Sequence, residues 1–126
     1  FLHAGVCGPL NGSDGGGIFF EYGGAPRKMY PAVAALTRML GSPETCAGKI
    51  AQGGLRGYVF ESGARATGIT WAEKDKRIIL DAEAQAFDLM GNGLGGPEIT
   101  VGRTPVYVIA GRGKGAAILR IISAAR

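Results

Sequence analysis

From position 55 onward, apolar and polar residues alternate with a period of two, the mark of strands that bury one face. The runs are RGYVFES at 56–62, ATGITWA at 66–72, KRIILD at 76–81, QAFDLM at 85–90, EITV at 98–101, PVYVIA at 105–110 and AAILRIISA at 116–124. Short turns separate them, with no helical stretch between, and the charged triplet Glu73-Lys74-Asp75 divides the second run from the third. This spacing predicts successive antiparallel strands in a compact β-sandwich. The last run also has apolar residues at helical spacing, but its three isoleucines and its terminal place favour a strand.

Upstream the pattern changes. An apolar run, FLHAG, is followed by a glycine-rich loop at 8–17 and a strand-like IFFEY at 18–22. A helix is predicted in KMYPAVAALTRMLG, over residues 30–40. Pro31 is tolerated in a first turn, and Val33, Leu36, Met39 and Leu40 recur at offsets of three and four. Gly41 stops this helix and Pro43 prevents its resumption. The expected fold class is mainly β: an antiparallel sandwich of about seven to eight strands with one N-terminal α-helix. Within it, Gly91 and Asn92 are residue types that readily take left-handed backbone angles, so Met90-Gly91-Asn92 reads as an architectural reversal after a buried strand. Pro105 suits a first strand residue.

Composition sharpens the class. The chain has 126 residues, one domain's worth, and its 23 glycines accompany 46% hydrophobic residues, so they punctuate turns instead of marking a disordered chain. The net charge of +4 comes from scattered basic residues, apart from Arg112 and Lys114. Without a clustered basic face or a recognition motif, nucleic acid is not an expected partner. Cys7 and Cys46 form no CxxC and have no histidine at ligand spacing, so no metal or other cofactor is expected; a disulfide and two free thiols both stay open. Asn11-Gly12-Ser13 matches the glycosylation pattern only weakly. No stretch approaches the ~18 apolar residues that span a bilayer, so no membrane partner is expected. Beginning at Phe1, the chain reads as an excised or processed piece.

The order of elements resembles the C-terminal end of glycoside hydrolases that join a TIM-barrel catalytic domain to a small β-sandwich. The matching motifs are Ile69-Thr70-Trp71, Asp88-Leu89-Met90-Gly91-Asn92 and Thr104-Pro105-Val106-Tyr107-Val108. FLHAG resembles the eighth barrel strand, PLNGSDGGGIFFEYGGAPRK the loop after it, and MYPAVAALTRMLG the last barrel helix. The resemblance implies a barrel remnant over 1–43 and a sandwich accessory domain over 44–126. It implies a catalytic barrel as partner, polysaccharide as a further one, and secretion as one setting, with localisation otherwise open. Retaining barrels of this kind place two carboxylates about 5 Å apart on earlier strands, which this sequence lacks. One strand and one helix cannot close a barrel, so no catalytic residue is expected here.

The carbohydrate-contact candidates are Trp71, Tyr58, His3 and Tyr22. Aromatic faces suit pyranose rings, and the resemblance places His3 at the C-terminal end of a barrel strand. The bland readings compete. His3 is then a packing residue, and Trp71, sharing a strand face with Ile69, is sandwich core, the favoured assignment if that face points inward. Tyr107 and Phe87 carry the same ambiguity, with burial favoured. Glu21 and Asp14 read as a solvent-facing strand residue and a turn residue. AGRGKG at 110–115 lacks the P-loop spacing and the following Ser or Thr, and with no clear helix after it, it reads as a hairpin turn. The leading expectation is a non-catalytic domain that supports the barrel and binds polysaccharide weakly. The alternatives are one piece of a glycosidase completed by another chain, and an independent carbohydrate-binding module.

Overall fold

The computed structural model describes residues 28–126. The strand expected at 18–22, the glycine loop at 8–17 and the barrel-strand likeness of the first five residues lie outside the described residues. The chain is mainly β. After helix α1 (Met29–Leu40) come β1 (Thr45–Gln52), β2 (Leu55–Glu61), β3 (Arg65–Ala72), β4 (Lys76–Ile79), β5 (Gln85–Phe87), β6 (Gly93–Leu94), β7 (Glu98–Val101), β8 (Val106–Gly111) and helix α2 (Gly115–Ser123). Six strands form one antiparallel sheet in the order β1-β2-β3-β8-β5-β6, and β4 and β7 form a separate ribbon.

The second layer of the sandwich is assembled from that ribbon and α2. Alternation on β2, β3 and β8 turns Leu55, Val59, Ala66, Ala72, Val106 and Val108 inward, where all are buried. From the opposite side, Ile78 of β4, Ile99 and Val101 of β7, and Ile118, Ile121 and Ile122 of α2 complete the same apolar core. The one buried hydroxyl on the inner side of β3, Thr70 Oγ1, donates to the Arg56 carbonyl at 2.8 Å, so no unpaired polar group enters the core there. Beyond α2, Arg77 and Arg126 exchange backbone hydrogen bonds of 2.8 and 3.0 Å along the free edge of β4.

Three expectations need correction. The final apolar run is a helix, Gly115–Ser123, and not a strand, so the described chain has two helices. Strand preference of its isoleucines is outweighed because Ile118, Ile121 and Ile122 fall on one helical face that the sheet covers, each contributing ~1.5–3 kcal/mol by burial. Gly68 makes that approach feasible: a Cβ there would lie 2.7 Å from Ile118 Cγ2 and 2.8 Å from Ile122 Cδ1. Second, Glu73-Lys74-Asp75 does not close a hairpin. It carries the chain out of the main sheet, and β4 pairs with β7 instead of β3. Third, β1 is a strand where no alternation was legible. As an edge strand it buries only Ile50, and a bulge shifts its register between Cys46 and Gly48.

Candidate functional site

With its inner face closed by the ribbon and α2, the main sheet has one face left, the outer one, and two structures divide it. The first is α1. The last turn of a helix has carbonyls with no intrahelical partner, and β3 supplies donors to two of them. Thr67 Oγ1 donates to the Met39 carbonyl at 2.8 Å, and Arg65 Nη2 donates to the Arg38 carbonyl at 2.5 Å. The Arg65 cation also stands at the negative end of the helix dipole. Gly41, with φ 63°, donates its backbone N–H to Thr37 O and ends the helix.

The turn between β5 and β6 meets the same helix. Gly91 has φ 84°, and a Cβ on it would come within 3.3 Å of both Ala35 Cβ and Met39 Cε. Asp88 organises this turn: its carboxylate accepts from the backbone N–H of Met90 (2.8 Å) and Asn92 (2.9 Å) and from Asn92 Nδ2 (2.9 Å). These bonds, the Asn92 side chain first, hold the Asp88 pKa below the usual carboxylate range. They also end β5 at Phe87 by drawing the chain into an Asx turn. Of the two residues expected to take left-handed angles, Gly91 alone does so; Asn92 serves through its side chain. Where α1 meets this turn, Tyr30 and Met90 are exposed at a depression of about 300 Å³ lined also by Pro31, Ala34, Ala35, Arg38, Met39 and Gly91.

The second structure is an aromatic row on β2 and β3. Trp71 and Ile69 do share a strand face, but it is the outer one, so the expectation of sandwich-core packing for Trp71 is overturned. Trp71 is half-buried. Tyr58, 39% exposed, stands beside it with ring centroids 6.4 Å apart and planes at 34°. Phe60 extends the row toward α1, its centroid 6.5 Å from that of Tyr58. Tyr107 faces the same side across β3 and is buried, which pushes its phenol pKa up; Phe87 is half-buried beside it. The structure therefore brings together Trp71 and Tyr58. His3 and Tyr22 lie outside the described residues, as do Glu21, Asp14 and Cys7.

Residues that escaped the sequence reading supply the polar part of this face. Lys49 sits directly across from Tyr58 in the β1–β2 register, and Arg56 directly across from Trp71 in the β2–β3 register. The period-two alternation of β2 carries a signal for Arg56; Lys49 has none, because β1 shows no alternation. Cys46 is a free, exposed thiol. Among the described residues no cluster of His, Cys, Asp or Glu is arranged to hold a metal ion, and no helix is long and apolar enough to cross a membrane.

The glycine loop before α2 also differs from its expected role. A helix does follow AGRGKG, and its N-terminus is occupied by a side chain of the protein itself. Glu61 accepts from Gly115 N at 2.6 Å and from Gly113 N at 3.2 Å, so the backbone donors that a phosphate would use already hold a carboxylate. A Cβ at position 115 would collide with that carboxylate. Lys114 points away to pair with Glu83 at 2.8 Å, an exposed contact that lowers the Glu83 pKa and raises that of Lys114. No protein-family model, curated protein or solved structure matches this chain.

Proposed function

We propose that this chain is a non-catalytic β-sandwich accessory domain from the C-terminal end of a TIM-barrel glycoside hydrolase, where it supports the barrel and makes weak contact with polysaccharide. The observation that carries the reading is the attachment of α1. Side chains of β3 hold its carbonyl end against the sandwich, while Met29 in its first turn and Met90 in the adjoining β5–β6 turn stay exposed. A helix fixed to one body with exposed methionines at its start and beside it suits a junction between two packed units. The acidic residues fit a structural role: Glu61 caps α2, Asp88 holds the β5–β6 turn, Glu83 pairs with Lys114 and Glu98 pairs with Arg77 at 3.4 Å.

The test is the coding sequence immediately upstream of the Phe1 codon in the source DNA. The reading expects a run of alternating strand and helix patterns that supplies the rest of a barrel, including two carboxylates at strand ends. An upstream region encoding no such domain overturns it.

A further inference from the structure

The part of the outer face that α1 leaves open pairs each of two aromatic rings with a cation. Directly opposed residues in an antiparallel pair point to one side with Cβ atoms ~4.5–5.5 Å apart. Lys49 therefore flanks Tyr58, and Arg56 flanks Trp71. Both cations are exposed, and among the described residues neither side chain takes part in a hydrogen bond, ion pair or ring contact. The outward positions of β2 and β3 hold Arg56 and Arg65 among apolar and hydroxyl residues, with no carboxylate; Glu61 turns inward to α2. The outward strand positions of β2 and β3 thus carry positive charge alone, and Lys49 and Arg56 have no partner among the described residues.

A flat apolar face with a cation at its side matches a pyranose ring that carries its own anion. In a uronate the carboxylate is bonded to a ring carbon, so a sugar lying on Tyr58 or Trp71 brings its charge within reach of the adjacent Lys49 or Arg56. A nucleotide fits less well, since the phosphate is separated from the stacking base by a sugar and a strand needs a continuous basic track. The 34° between the two ring planes suits a soluble chain that turns between successive residues better than a flat fibre surface. We propose that Tyr58, Trp71, Lys49 and Arg56 form a platform for an anionic polysaccharide of the polyuronate class, each aromatic and its cation taking one sugar. This deepens the polysaccharide contact of the accessory-domain reading by naming its chemical class.

The test is isothermal titration of the full 126-residue chain with polygalacturonate, a neutral xylan and oligothymidylate, alongside two double variants. Lys49→Ala with Arg56→Ala removes the platform cations; Lys74→Ala with Arg112→Ala removes the same charge at exposed sites elsewhere. Circular dichroism checks that each variant stays folded. The expected result is saturable, salt-sensitive binding of polygalacturonate, weakened about tenfold or more by the first pair and little by the second. Absence of binding, equal loss in both variants, or stronger binding of oligothymidylate or xylan overturns the platform. Its failure beside an upstream barrel leaves the accessory-domain reading standing; binding without such a barrel sinks that reading and leaves an independent module.

Discussion

Two carboxylates do unlike work with the same chemistry. Glu61 reaches across from the end of β2 to bind the first N–H groups of α2, and Glu61→Ala leaves those donors to water alone. The expected effect is a loss of about 1–2 kcal/mol in urea unfolding, the usual scale for a removed N-terminal cap. Asp88 acts within its own turn. Its folded pKa lies below the ordinary value of 3.8, so its contribution is fully present above that pH and is lost as pH falls through the lower folded value. Asp88→Asn should therefore flatten the acid limb of a stability-against-pH curve below about pH 4, and an unchanged limb would show that the turn does not sense that proton.

At the scale of elements, the decisive contact is a helix seated on glycines. Gly68→Ala puts a methyl group into the space held by Ile118 and Ile122, and destabilisation of about 1–3 kcal/mol is expected. Ile122→Val, which removes the Cδ1 that the new methyl group would meet, should recover part of it, and a double-mutant cycle would read this as non-additivity. The strands β2, β3, β7 and β8 and helix α1 were legible because each presents one periodic face to one neighbour. Less legible was α2: β-branched residues argue for a strand locally, and only the gap at Gly68 on another strand explains why a helix lies there. Edge position hid β1, whose single buried residue leaves no alternation to see. The aromatic candidates Tyr58 and Trp71 were visible as residue types, but which way their strand face points depends on where α2 and the ribbon pack. α1 is held by polar tethers more than by broad apolar contact, so Thr67→Val should speed amide exchange in Met29–Leu40 while leaving the protection of β3 and β8 unchanged.

Across the whole molecule, the two layers are stitched by one long excursion of the chain. It leaves the centre of the main sheet after Ala72, builds the ribbon and the β5–β6 margin of that sheet, and returns to the centre at Val106, where Thr70 and Val106 face each other across β3 and β8. Ala72 N also donates to Gly102 O at 2.7 Å, so the ends of the excursion nearly touch. Bringing those ends together surrenders loop entropy before the central pairing returns anything, and sequence-local contacts cannot substitute for it. Refolding from urea is accordingly expected on a millisecond-to-second scale, as for other sandwiches, and a microsecond phase accounting for the full signal would contradict it. A chain emerging from the ribosome cannot finish its central sheet until β8 has been made, and until then β3 waits with an unpaired edge.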